Sequence, residues 1–151
     1  MSSVLIRKAD KSDVPALLSL VKELADYEKC PNEVEVDRTE MEDAGFGPNK
    51  VFDAFVAESN SEVVGMAIFY TGYSTWKGKT LYLEDFLVTE NWRRKGIGKL
   101  LFDRIIEEAK LRNVRRMDWQ VLEWNQPAIQ FYKKYACELD PEWINGRIKL
   151  S

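Results

Sequence analysis

The strongest constraint on this 151-residue chain lies between residues 81 and 108. A run rich in strand formers, Leu81-Tyr82-Leu83-Glu84-Asp85-Phe86-Leu87-Val88, passes through Thr89-Glu90-Asn91-Trp92 into Arg93-Arg94-Lys95-Gly96-Ile97-Gly98-Lys99. Leu101, Phe102, Ile105, Ile106 and Ala109 then recur at helical spacing, so the order is strand, glycine turn, helix. Two glycines one residue apart let the backbone turn tightly and approach a ligand without Cβ clashes. The following helix presents its unpaired N–H groups and positive dipole end to an anion. With Arg93, Arg94, Lys95 and Lys99 around it, the turn is an anion cradle, although a plain turn with solvated basic residues has the same local pattern. Two phosphate loops are excluded. A Walker loop needs a glycine five residues before the Gly-Lys pair, where Arg93 stands, and a hydroxyl residue after the lysine, where Leu100 stands. A dinucleotide loop needs a third glycine, where Leu101 stands.

The length suits a single domain, residues 1–151, with a real core. No segment reaches the ~18 uncharged apolar residues of a membrane helix, and Met1-Ser2-Ser3-Val4-Leu5-Ile6-Arg7 leads into a strand rather than a signal-type apolar region. The chain reads as soluble and cytoplasmic. Its two cysteines, Cys30 and Cys137, lie far apart and without metal-ligand company, which fits free thiols. There is no histidine, so Ser-His-Asp and Cys-His catalysis and histidine-bearing metal sites are excluded; no metal is expected. Proton transfer falls to Tyr, Asp, Glu, Lys, Cys or water. A formal net charge of −3 argues mildly against nucleic acid and for a cationic partner.

Taken in order, Val4-Leu5-Ile6-Arg7 reads as a strand, and Ser12 as the cap of a helix with Asp13 and Pro15 in its first turn. That helix runs to about Tyr27; Tyr27 and Glu28 at its end are, by themselves, a surface aromatic and a solvated acid. Residues 32–43 form an acidic stretch that reads as a solvated face or as a field drawing in a cation. Residues 51–58 and 63–73 read as antiparallel strands joined through Ser59-Asn60-Ser61-Glu62, followed by a loop bearing Trp76. The adjacent acids Glu84 and Asp85 are anomalous, because neighbouring strand residues point to opposite faces. Either one is buried at a cost, or an edge or a bulge leaves both wet. After the Gly98 helix, residues 116–122 read as a strand parallel to the Leu81 strand. Asn125 and Pro127 open a helix ending at Tyr132 to Tyr135, and residues 136–139 and 143–150 read as terminal strands.

Arg-x-x-Gly-x-Gly between a strand and a helix resembles the acyl-CoA-binding motif of the GCN5-related N-acetyltransferase (GNAT) superfamily. The resemblance extends over nearly the whole chain. Ile6-Arg7, Lys22-Glu23-Leu24-Ala25 with Tyr27-Glu28, Gly45-Phe46-Gly47, Tyr82-Leu83-Glu84-Asp85, and Trp124-Asn125 before Phe131-Tyr132-Lys133 are similar to the diamine acetyltransferases, which comprise the spermidine/spermine and thialysine N-acetyltransferases. The loop Tyr73-Ser74-Thr75-Trp76-Lys77-Gly78 looks closer to the thialysine branch; the other branch carries an acid where this chain has Ser74, so long polyamines lose a partner. The family's glycine after the Phe-Tyr helix is here Ala136, for which a cost near ~1 kcal/mol or a changed turn is expected. Arg94 and Lys95 stand where relatives often carry glycine or smaller residues.

The resemblance implies an α/β GNAT fold, a mixed central sheet of about 6–7 strands flanked by about four helices. It implies direct acetyl transfer from acetyl-CoA to a small primary amine in a ternary complex, and a homodimer. Glu84 would be the base and Tyr132 the proton donor to the leaving thiolate. Phe86, Leu87, Val88, Arg93, Arg94, Lys95, Gly96, Ile97, Gly98, Lys99 and Asn125 would hold acetyl-CoA, with a backbone N–H near Leu87 polarising the acetyl oxygen; Asn125 is also a plain helix cap. Tyr27, Glu28, Trp76 and Asp85 would hold the amine's distal cation. The alternatives are a different small or peptide amine, a non-catalytic CoA-binding module, and a nucleic-acid binder built on Arg93, Arg94, Lys95, Arg112, Arg115 and Arg116, which lacks an aromatic stacking series.

Overall fold

The computed structural model describes residues 3–150. They form two compact units that divide after Gln120. The first unit runs β1 (Leu5–Lys8), a 3₁₀ turn (Lys11–Asp13), α1 (Val14–Tyr27), α2 (Arg38–Phe46), β2 (Asp53–Ser59), β3 (Glu62–Ser74), β4 (Gly78–Val88), a 3₁₀ turn (Glu90–Trp92), α3 (Ile97–Leu111) and β5 (Arg116–Trp119). The strands lie in the order β1-β2-β3-β4-β5, antiparallel except for the parallel β4/β5 pair, which α3 connects as a crossover. Asn60 and Ser61, both at positive φ, close β2 onto β3.

Both faces of the sheet are covered, so β2 and β3 carry near-continuous apolar runs rather than a simple alternation. On one face Val14, Leu17 and Leu20 of α1 and Met41 of α2 pack on Ala54, Val56, Met66, Ile68 and Leu87. On the other, Phe102 of α3 meets Phe86 and Trp119 edge-on, while Arg104 and Arg112 lie over Phe55 and Phe69. Each fully buried large apolar side chain contributes on the order of 1.5–3 kcal/mol. Arg7 binds Asp13 through both guanidinium nitrogens, at 2.7 and 2.9 Å, and also reaches Glu58 at 3.1 Å, tying β1 to α1's entry and to β2. Its hydrogen bond holds the Asp13 carboxyl below the usual carboxylate range.

The first helix is entered differently from the expectation: the side-chain cap sits on the 3₁₀ turn before it, and α1 itself has none. Asp10, not Ser12, accepts from a backbone N–H and closes a reciprocal box with Asp13. The acidic stretch contains α2, capped by Asp37 on the N–H of Glu40; nine residues with a weak apolar stripe gave no strong period, and packing of Met41 decides the helix.

The second unit contains α4 (Gln126–Tyr132), opened by Asn125, which accepts from the N–H of Ala128 at 3.3 Å. The sheet has five strands rather than 6–7, because residues 136–139 and 143–150 are not strands. A strand needs a partner's hydrogen bonds, and the described residues of this unit contain no strand to supply them. Ala136 avoids the left-handed conformation, so the turn after α4 has changed rather than strained.

Candidate active site

The β3/β4 register explains the anomalous acid pair. Phe69 faces Leu83 and Ile68 faces Asp85, which leaves Glu84 as the extra residue of a β-bulge. Before the bulge, Leu83 shares the α3 face with Phe69. After it, Asp85 shares the α1 face with Ile68. The bulge therefore shifts the alternation by one and turns Asp85 toward α1, where the cross-strand pair Tyr70 and Tyr82 also lies, with ring centroids 5.3 Å apart.

The electrostatics agree with this placement. Burial, reinforced by the charges of Glu84 and then Glu28, pushes the Asp85 carboxyl up to about 6. Burial raises Glu28 as well. Tyr70 and Tyr82 are raised by burial and by the negative charge of Glu84. Glu28, Glu84 and Asp85 thus share one electrostatic neighbourhood beside two tyrosines. Glu84 is exposed and Asp85 half-buried, so the expectation of a bulge with both acids wet holds only for Glu84. Such a site attracts a cation and can accept a proton.

Tyr27, the last residue of α1, stands next to Glu28 in the chain, with the Arg93 guanidinium 5.4 Å from its ring centroid. Trp76 is not brought to the acids. It stands 82% exposed at the hairpin tip, where Ser74 Oγ accepts from the N–H groups of Trp76 and Lys77. The pairing runs from Ser74↔Gly78 to Ile68↔Asp85, which puts the tip on the order of 20 Å along the strands from Asp85 at ~3.3 Å per residue.

The parallel ladder ends at Leu83↔Trp119, and β4 runs on to Val88 without it. Phe86, Leu87 and Val88 are packed by their side chains against Phe102, the α1-face core and Ile97, so a ligand contact from them falls to backbone groups outside the β3 pairing, of which the Val88 carbonyl is taken by Arg93. In the glycine turn, Gly96 takes φ 81° and Arg94 φ 64°. Gly96 caps α3 without a side-chain hydrogen bond, so the first-turn N–H groups of Ile97, Gly98 and Lys99 are not satisfied by a side-chain cap. Arg94 and Lys95 are exposed, Lys95 lying 5.0 Å from the Trp92 ring; Lys99 pairs with Asp103 at 2.6 Å. Arg93 differs from the other cations: its Nε donates to Val88 O at 2.7 Å and its Nη2 to Glu23 at 3.1 Å. A turn that offers backbone donors at a helix N-terminus between exposed cations fits a pyrophosphate. In the second unit Tyr132 is buried, with its ring against Phe131, and its carbonyl accepts from Cys137 Sγ.

The family model described as "Acetyltransferase (GNAT) family" matches residues 18–136. The chain belongs to this family. The acetyltransferase is 36% identical over 141 residues to a thialysine N-epsilon-acetyltransferase of Sus scrofa, covering 88% of this chain and 83% of the relative. It is 35% identical to the thialysine N-epsilon-acetyltransferase of Mus musculus, covering 99% and 94%. It is 37% identical to spermidine/spermine N(1)-acetyltransferase-like protein 1 of Homo sapiens, covering 91% of this chain and 21% of that protein. Its fold matches an integron cassette protein from the mobile metagenome of V. cholerae (TM-score 0.78, 24% identity, 97% and 93% covered). It also matches an aminoglycoside N-acetyltransferase in complex with CoA (TM-score 0.78, 17% identity, 99% and 97% covered). The protein is an acetyl-CoA-dependent N-acetyltransferase with a GNAT fold, as the glycine turn and its linked motifs led us to expect.

Sequence reasoning assigned no role to Tyr70, Tyr82, Glu23 or Thr89. Tyr70 and Tyr82 could have been found by counting outward from the hairpin turn, since Ser74↔Gly78 brings Tyr70 opposite Tyr82. Glu23 lies one helical turn before Tyr27, but its contacts to residues 89–93 join elements some 66–70 positions apart, for which the sequence carries no spacing signal.

Proposed function

We propose that this acetyltransferase transfers acetyl directly from acetyl-CoA, in a ternary complex, to the primary amine of a small substrate that carries a second cationic group. A thialysine- or lysine-like amino acid or a diamine fits. The observation that carries this reading is the β4 bulge, which puts Asp85 on the face of Tyr70 and Tyr82, within electrostatic reach of Glu84 and Glu28, a few residues before the glycine turn. Asp85, Glu28 and Tyr27 hold the distal cation. Long polyamines are less well served, because Ser74 is committed to the hairpin tip and Trp76 stands far from Asp85.

A lysine-like amine, with a reference pKa near ~10.4, arrives protonated at neutral pH. Glu84, exposed to solvent, takes that proton directly or through a water. The neutral nitrogen attacks the thioester carbonyl carbon, forming the C–N bond, while a backbone N–H near Leu87 stabilises the oxygen that gains charge. The C–S bond then breaks as the carbonyl re-forms, and the Tyr132 hydroxyl supplies the proton with which CoA leaves as a free thiol; the nitrogen, now an amide, gives up its second proton to solvent, and solvent returns a proton to Tyr132. The first-turn N–H groups of α3, with Arg94, Lys95 and Lys99, hold the pyrophosphate, and Asn125 the pantetheine arm.

We further infer that residues 1–151 act as one cytoplasmic domain working as a homodimer. The family match, residues 18–136, crosses the boundary between the two compact units, which supports one domain. Trp143, Ile144, Ile148 and Leu150 are at least 76% exposed, which supports their being covered by a second copy. Sedimentation should give a dimer; a monomer at micromolar concentration removes that part. The activity test is a panel of thialysine, lysine, ornithine, diamines and polyamines with acetyl-CoA, read as free-thiol release. Thialysine, lysine or a short diamine should turn over best. Turnover only with peptides would move the reading to a peptide amine, and none with any amine would sink it.

A further inference from the structure

Glu23 sits on α1 one turn before Tyr27, outside the set of residues given a role above. Its carboxylate is nevertheless a junction. One oxygen accepts from Thr89 Oγ1 at 2.7 Å; the other accepts from the backbone N–H of Glu90 at 3.2 Å and from Arg93 Nη2 at 3.1 Å. Arg93 in turn donates through Nε to Val88 O and presents its guanidinium to the Tyr27 ring. On the sheet side the N–H of Thr89 donates to Val64 O at 2.9 Å. Residues 88–93, the path from β4 into the glycine turn, are therefore pinned between β3 and α1, and on the α1 side three of the hydrogen bonds converge on one carboxylate.

Two consequences follow from the charges. The positive charge of Arg93 is met by Glu23, so attraction for an anion rests on Arg94, Lys95, Lys99 and the helix N–H groups, and Arg93 serves as a strut. The helix that carries Tyr27 and Glu28 on the amine side is linked through Glu23 to the turn on the donor side.

We infer that Glu23 is a positioning residue for the acyl-CoA turn: through Thr89, the Glu90 N–H and Arg93 it holds the backbone leading into Gly96 in the shape that receives the pyrophosphate. This rests on the reading of that turn as the acetyl-CoA site. Preorganisation of a binding loop shows in ligand affinity, because a loop that must be ordered on binding uses up part of the binding free energy. Glu23→Gln keeps shape and length, and with its oxygen toward the Glu90 N–H and Arg93 and its amide donating to Thr89 Oγ1 it keeps the hydrogen bonds but loses the charge that strengthens two of them. Thr89→Val removes a single hydrogen bond.

The experiment measures CoA binding by calorimetry and steady-state kinetics in acetyl-CoA for the full chain, the two variants and their double variant. Glu23→Gln should raise the Kd for CoA and the KM for acetyl-CoA about five- to tenfold, the scale of charge-assisted hydrogen bonds to half-exposed groups. Thr89→Val should raise both about two- to threefold, and the double variant should fall short of the product because both act through one carboxylate. The kcat should stay within about twofold throughout. Loss of folded protein alone would lower apparent kcat and leave KM and Kd unchanged, so that result overturns the proposal. A lower KM in Glu23→Gln would also overturn it, since a released Arg93 charge would then matter more than the shape of the turn. If Glu23→Gln does not fold, the KM of Thr89→Val decides. Failure of the unmodified protein to bind CoA is seen first and separately; it would remove the acetyl-CoA site and this role together.

Discussion

Replacing Asp85 by asparagine tests the site where its physics is most exposed. Burial and the neighbouring charges of Glu84 and Glu28 raise the Asp85 carboxyl from 3.8 to about 6. A carboxyl whose folded pKa exceeds its unfolded value binds more protons folded than unfolded, so ionising it destabilises the fold. The penalty is nearly absent below the unfolded pKa, grows through the window from about 4 to about 6, and is complete above it. At 1.36 kcal/mol per pKa unit, it amounts to about 0.5 kcal/mol at pH 4 and about 3 kcal/mol at pH 7.5. Asparagine carries no charge at either pH. The stability of Asp85→Asn relative to the unmodified protein should therefore improve by up to about 2.5 kcal/mol between pH 4 and pH 7.5, and by at least about 1 if water relaxes part of the buried charge. Urea unfolding of both proteins at half-unit pH steps measures this directly, and subtracting the curves removes every shared group that is not coupled to Asp85. A difference that stays flat with pH would mean that Asp85 is as well solvated folded as unfolded, and the cation site built on it would lose its electrostatic basis. The same variant should raise the KM for the accepted amine at least about tenfold, the scale of losing one buried charged partner.

The other expectations concern chemistry, strain and the core. Tyr132→Phe should preserve acetyl-CoA binding and lower kcat ~10²-fold or more, the scale of general-acid catalysis; unchanged turnover would remove this hydroxyl from the reaction. Glu84→Gln should flatten the rise of kcat/KM with pH, and an unaltered pH profile would assign the base to bulk water. Arg94 occupies φ 64°, where a side chain costs ~1–2 kcal/mol and glycine does not, against ~0.5–1 kcal/mol of extra unfolded-state entropy for glycine. Arg94→Gly should thus unfold at slightly higher urea while its KM for acetyl-CoA rises a fewfold; lower stability would show that the left-handed residue carries no strain. Asp13→Asn should destabilise by about 1–3 kcal/mol at neutral pH, because Arg7 loses a buried charged partner. Since the Asp13 pKa is lowered, that stabilisation is fully present above the unfolded value and disappears as pH falls through the folded one, so the two proteins should converge in strongly acidic urea titrations.

Most of the elements were legible because their signals are local. The α3 stripe, the Asn125 cap with Pro127 after it, and the polar Asn60-Ser61 turn are patterns within a few residues, and the structure has each of them. The elements misread are those whose existence depends on a distant partner. The α2 helix forms because Met41 joins the core, and the terminal runs at 136–139 and 143–150 have strand-like composition but no strand beside them among the described residues of their unit.

The candidate site divides in the same way. The sequence by itself supplied every ingredient of the proposed anion cradle, since glycine freedom, helix N–H groups and the cations of residues 93–99 are properties of contiguous residues. It also established that histidine takes no part. It could not determine which way Glu84 and Asp85 point, because strand alternation holds only while the register is unbroken. A single bulge opposite Ile68 and Phe69 reverses it. Nor could it separate Arg93 from its basic neighbours: the carboxylate that claims its charge lies 70 positions away on α1. Tertiary structure decided both, since pairing register and long-range ion pairs are set by how elements pack.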